Sequence, residues 1–195
     1  MAKSKKNIRW YLITHSMCIL ALVFFQQCKK QPDTEFLITN DSVGKLDKIS
    51  LARDLEVIYA NDSIVKDSTI HNLSNKSKKV RVFEKGGRLL LTLTPSSDSI
   101  PTIENIRIED PRFSTEKGIG LNSTFKDIKD NYQIQKVITS MNNVVILLRD
   151  SSTYFTISKE QLPSSLRYSS SVNIEAVQIP DDAKIKYMMV AWGDD

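Results

Sequence analysis

Few residues in this 195-residue chain have the types and spacing that chemistry requires. Beyond position 28 there is a single histidine, His71, and no cysteine. A Ser-His-Asp machine needs its histidine beside a positioned nucleophile, and no G-x-S-x-G elbow occurs. His71, on or just past a strand expected over 64–70, therefore reads as a surface residue. A metal could be held only by carboxylates. The adjacent pairs Glu109-Asp110, Asp181-Asp182 and Asp194-Asp195 lack the alternating oxygen ligands, glycine and terminal glutamate of a calcium loop, and read as turn and terminus residues. Gly118-Ile119-Gly120 has neither phosphate-loop spacing, so its glycines read as turn positions leading into a helix. The loop Asp110-Pro-Arg-Phe-Ser-Thr-Glu-Lys117 is more promising, because exposed loops on rigid frames commonly carry binding. Arg112 and Phe113 are its expected contact residues. No metal or cofactor is expected, and no enzymatic activity.

Cys28 stands apart because of where it lies. Lys3, Lys5, Lys6 and Arg9 precede a mostly apolar stretch over 10–25, whose strictly apolar run is Met17 to Phe25. A membrane-spanning helix needs about 20 apolar residues, whereas about 7 to 15 suffice for a signal peptide. Polar composition resumes at once with Gln26-Gln27-Cys28-Lys29-Lys30-Gln31-Pro32. This layout resembles the signal of bacterial lipoproteins, which are cleaved just before a cysteine that then carries diacylglyceryl and fatty acyl chains such as palmitate. The resemblance implies that residues 1–27 are a signal peptide and Cys28 is the lipidation site. It also implies a cell-envelope location, in the outer membrane rather than the inner, because Lys29 and not aspartate follows the cysteine. An unmodified thiol beside Lys29 and Lys30 would be reactive. One acyl chain binds membranes marginally, while two or three hold.

The formal net charge of +4 has the same origin. Without the four N-terminal cations the chain has 23 basic and 23 acidic residues. A nucleic-acid binder needs a clustered basic face, and the internal cluster Lys76, Lys78, Lys79 and Arg81 reads as a solvated strand edge. No nucleic-acid partner is expected.

The elements that hold these residues are legible from 36 onward, after a polar tether over 28–35. Ser50-Leu-Ala-Arg-Asp-Leu55 with Tyr59 matches Ser123-Thr-Phe-Lys-Asp-Ile128 with Tyr132, at an offset of 73 residues. Serine suits a helix N-cap, aspartate the first turn, and the i, i+4 aliphatic–tyrosine pair one buried face. Each copy predicts a short helix that must lie on a sheet. Apolar lead-ins at Phe36–Ile38 and Ile106–Ile108 precede them. Hairpins are predicted over 79–83 and 88–94, around Gly86-Gly87, and over 143–148 and 153–158. A last strand covers 184–192, and 96–102 is a connector. The fold class is α+β: antiparallel sheet with short helices on one face, in two tandem units over 36–100 and 101–195.

The strand, glycine loop and S-x-x-x-x-[LI] helix unit followed by strands resembles the repeat of the beta-lactamase inhibitory protein-like fold, shared with small envelope lipoproteins of the barrel-assembly machinery. The reading that follows is a lipid-anchored, non-enzymatic envelope protein that binds another protein or an envelope component. Its rivals are an envelope-polymer hydrolase using carboxylates and a structural spacer in an outer-membrane complex. Replacing Cys28 with alanine should block acyl labelling and release the protein from membranes, or leave an unprocessed precursor. Identical fractionation of both forms with no palmitate uptake would refute the lipidation.

Overall fold

Apolar residues at alternate positions build most of the chain into strands. The computed structural model describes residues 34–66, 79–167 and 173–193. Cys28, His71, Lys76, Lys78, Asp194 and Asp195 lie outside them. Three two-residue strands come first, β1 (Leu37–Ile38), β2 (Ser42–Val43) and β3 (Leu46–Asp47), then a 3-10 turn and the helix α1 (Leu55–Ile58). Next are β4 (Ser63–Lys66), β5 (Val80–Phe83), β6 (Leu89–Pro95), β7 (Ile103–Ile108), β8 (Ser114–Thr115) and the helix α2 (Phe125–Asn131). β9 (Ile134–Thr139), β10 (Asn143–Leu148) and β11 (Thr153–Ser158) lead through 3-10 turns and the helix α3 (Ser164–Arg167) to β12 (Ile185–Ala191).

Eight strands form one sheet in the order β4-β5-β6-β7-β12-β11-β10-β9, with every neighbouring pair antiparallel. The order reads alike from both edges. α1 precedes the run β4 to β7, α2 precedes β9 to β11 and then β12, and β7 meets β12 at the centre. The smaller sheet runs β3-β2-β1-β8, with β1 and β8 parallel. The molecule is thus sheet-rich with few and short helices.

Successive side chains in a strand point to opposite faces, and the register makes one face continuous. Val82, Leu91, Ile108, Met188, Phe155 and Ile146 are cross-strand partners in a single row, and each is at least 98% buried. Leu55 of α1, Phe125 and Ile128 of α2, and Ile38, Val43 and Leu46 of the small sheet join the same core. Fully burying such a side chain is worth about 1.5–3 kcal/mol, so this row makes a large contribution to the fold's stability.

The hairpins lie where the sequence predicts them to within a residue. Gly86 and Gly87 take φ values of 115° and 93° in the first turn, and Asp150 takes 56° in the second, a left-handed conformation that aspartate tolerates better than most residues. Other expectations are corrected. Phe36–Ile38 and Ile106–Ile108 are not equivalent lead-ins, since Leu37–Ile38 belongs to the small sheet and Ile106–Ile108 to the central strand of the large one. Serine caps neither helix. Ser123 Oγ instead accepts from the Gly120 amide, while Thr124 caps α2 in a reciprocal box with Asp127. The turn before α1 has Leu51 at its N-cap and no side-chain cap. A threonine one place on from the serine offers the same hydroxyl chemistry, so sequence spacing does not separate them.

The two tyrosines also differ. Tyr59 is buried, its hydroxyl without a hydrogen-bond partner and its pKa pushed up by burial and by the Asp62 carboxylate. Tyr132 is half-buried, with Lys117 Nζ 4.2 Å from its ring centroid. Tyr59→Ala should therefore cost about 3–5 kcal/mol by cavity formation. Tyr59→Phe, which deletes only the unpaired hydroxyl, should leave stability within about 0.5 kcal/mol of wild type or raise it. Chemical denaturation of the two variants beside wild type measures both, and a large loss in Tyr59→Phe would contradict the packing described.

Candidate binding face

The other face of the large sheet keeps solvent access across all eight strands. Its central row is Val65, Arg81, Thr92, Arg107, Met189, Tyr154, Leu147 and Lys136, each the cross-strand partner of the next, and none of them is buried. Tyr187 and Val145 lie beside that row with Thr156 paired to both, and Ile138 continues toward the β9 edge. An antiparallel sheet with one face on the core usually has a polar outer face. This one instead mixes aliphatic and aromatic side chains with cations.

Side-chain contacts order the middle of the face. Thr92 Oγ1 donates to Glu109 Oε1 at 2.9 Å, and Glu109 Oε1 lies 3.2 Å from Arg107 Nε. That is ion-pair range without hydrogen-bond alignment, so the buried Nε has no hydrogen-bond partner among the described residues. The Arg107 guanidinium carbon stands 4.1 Å from the Tyr187 ring centroid, and Lys186 Nζ 5.3 Å from the same ring. Asn105 Nδ2 donates to the Tyr154 hydroxyl at 2.9 Å. At the end of the face, a cleft of about 440 Å³ is lined by Gln135, Leu147, Tyr154, Ala191 and Gly193 among others. The composition, with tyrosine, methionine and arginine at the centre, is the one enriched where proteins dock.

The loop favoured by sequence does a different job. Phe113 is 3% exposed, packed edge-on against Phe36 with ring centroids 5.1 Å apart, so its expected role as a contact residue is corrected. Its ring fills the space between the small sheet and the loop, and burial of an aromatic ring outweighs exposure on a loop. Arg112 is committed as well. It donates from Nε and Nη2 to buried Asp110 at 3.0 Å each, pairs with Glu84 at 2.9 and 3.0 Å, and lies over the Phe36 ring. Burial alone would push the Asp110 pKa up, but the hydrogen bonds from the Arg112 side chain and backbone, and its charge, hold it below the usual range.

The remaining candidates are also accounted for. Glu109 and Asp110 turn to different partners and do not form a joint site. Asp181 pairs with Lys129. Gly118 takes a φ of 77°, and a Cβ on Gly120 would lie 2.6 Å from the Phe113 carbonyl oxygen, so both glycines serve the backbone. Among the described residues, no three His, Cys, Asp or Glu side chains gather as a metal site, and no helix is long and apolar enough to cross a membrane. Arg107, Tyr154 and Tyr187 went unread in the sequence. Their one signal is alternation with buried residues in strands that pair at the sheet's centre.

No family model and no curated protein matches the chain. Among solved structures it is similar to the uncharacterized protein yfeY from Escherichia coli, with a TM-score of 0.52 at 13% identity, over 79% of this chain and 98% of that one. At that identity the likeness shows a shared fold alone.

Asp110→Asn should destabilise the protein by about 1.5–3 kcal/mol, the usual worth of hydrogen bonds to a charged group. Because its folded-state pKa lies below the unfolded value of about 3.9, the contribution is present above that pH and lost as pH falls through the folded pKa. Wild-type stability, followed by denaturant titration from pH 6 downward, should decline more steeply below about pH 4 than that of Asp110→Asn. Parallel curves would refute the assignment.

Proposed function

We propose that this chain is a lipid-anchored, non-enzymatic protein of the cell envelope that docks a partner protein on the open face of its eight-stranded sheet. The observation that supports the docking site is the solvent-accessible row from Arg81 to Lys136, with Arg107, Met189 and Tyr154 at its centre. Tyr, Met and Arg side chains supply large contact area and characteristically dominate binding energy. A hydrolase would need paired carboxylates flanking a substrate cleft, and the adjacent pair Glu109-Asp110 is split between the open face and the Arg112 network.

The anchor is Cys28, reached through the polar stretch over 29–35, and the outer membrane is the compartment that the lipoprotein-like signal favours. The two halves are read as tandem copies of a unit with a helix and four strands, in which β7 (Ile103–Ile108) goes with the first copy, so the boundary expected between residues 100 and 101 shifts to after β7. What supports this is the mirrored strand order around β7 and β12, together with the S-x-x-[KR]-D-[LI]-x-x-x-Y motif at the start of each half. The beta-lactamase inhibitory protein-like fold, with its helix and strand repeats, is the family reading that accompanies it.

Site-specific photocrosslinking in intact cells tests the docking face. A photoreactive residue at Leu147 should yield a discrete adduct with another polypeptide, and one at exposed Val57 of α1, on the covered side of the sheet, should not. Equal labelling at both positions, or none at Leu147, would refute the site.

A further inference from the structure

We infer that the open face is built for an acidic protein surface, and that Arg107 is the positioning residue that receives a carboxylate of that partner. This inference rests on the docking face proposed above. The strands of that face carry four cations, Arg81, Arg107, Lys136 and Lys186, while the anions beside them are Glu109, just past β7, and Glu160, just past β11. The chain beyond residue 28 as a whole carries equal numbers of basic and acidic residues, so the cationic excess is particular to this surface and is offset by acidic residues elsewhere. Complementary potentials steer encounter and reject like-charged partners. Two copies brought face to face would oppose cation to cation, which argues against self-association.

Arg107 sits at the centre, on β7, one of the two middle strands. Its guanidinium is fixed from two sides, over the Tyr187 ring and beside Glu109, which Thr92 holds in turn. Its side chain nevertheless keeps 40% exposure. Nε is buried beside Glu109, which leaves the terminal nitrogens to donate to a partner. A planar fork with its rotamer already set loses little entropy on binding and matches a carboxylate in two parallel hydrogen bonds. The Tyr187 ring beneath it and the neighbouring Met189 flank that contact, and a docked partner would displace the water around it, the setting in which a charged hydrogen bond is strongest.

The test uses the full-length chain in its native membrane, with a photoreactive residue at Met189, the cross-strand partner of Arg107. The wild-type background should give a protein adduct whose crosslinked peptide contains Asp or Glu. Arg107→Glu should reduce the adduct at least tenfold, since a like charge then faces the partner. Arg107→Lys should reduce it several-fold, because charge is kept but the fork is lost. Replacing the identified acidic residue of the partner with arginine should restore the adduct to Arg107→Glu. Thermal unfolding of each variant, with Arg107→Gln as a neutral substitute, separates loss of contact from loss of fold. If folded Arg107→Glu and Arg107→Gln give wild-type adduct, the face docks without a carboxylate and this inference fails while the docking site stands. An adduct with a phosphate-bearing polymer instead of a polypeptide also overturns it. No adduct at Met189 or Leu147 removes the docking face itself.

Discussion

The antiparallel pairing of β7 with β12 joins the strands β4 to β7 and β9 to β11 into one eight-stranded sheet, and the rest of the molecule depends on it. Met188 meets Ile108 and Val190 meets Ile106 across this seam, all buried, while Met189 meets Arg107 on the opposite face. A one-residue slip there would exchange the two faces, placing Arg107 and Met189 in the core and Ile106 and Met188 in water. Register is therefore enforced by burial on one side, and the composition of the open face follows from that same choice.

Among the described residues, elements are laid over one face of this sheet only. α1 and α2 are four and seven residues long, too short to persist without the sheet, and they contribute Leu55, Phe125 and Ile128 to a core that also takes the small sheet. The loop after β7 closes the same side. Asp110, Arg112 and Glu84 form a charged clasp over Phe36, and Phe113 plugs the space below it. At the other end of the small sheet, Trp192 Nε1 donates to the Asn40 carbonyl at 3.0 Å and Asn40 Nδ2 to that of Asp150 at 3.1 Å. Polar and aromatic contacts thus tie the start of the folded unit to both halves of the large sheet.

This asymmetry links stability to binding. Side chains that serve stability are nearly all on the covered face, so the open row can carry Arg107, Met189 and Tyr154 without a packing requirement of its own. Its internal contacts, Thr92 to Glu109 to Arg107 and Asn105 to Tyr154, set rotamers in advance. Preorganisation of that kind lowers the entropy lost on association.

By itself the sequence determined local structure. Alternation and turn residues placed β5, β6, β10 and β11 nearly to the residue, because a buried strand imposes period two and a tight turn requires positive φ at Gly86, Gly87 and Asp150. It also marked α2, although the cap is Thr124 and not Ser123. Tertiary structure decided everything that depends on which strands become neighbours. Ile106–Ile108 looks like any apolar triplet until β12, some 80 residues later, pairs with it. Arg107 is one arginine among many until Tyr187, Glu109 and Thr92 surround it. Conversely, Phe113 reads as an exposed loop residue until Phe36 arrives against it. Pattern within a chain reports a residue's own exposure along one element, whereas a binding face is a set of residues from different elements, and only long-range strand pairing brings them together.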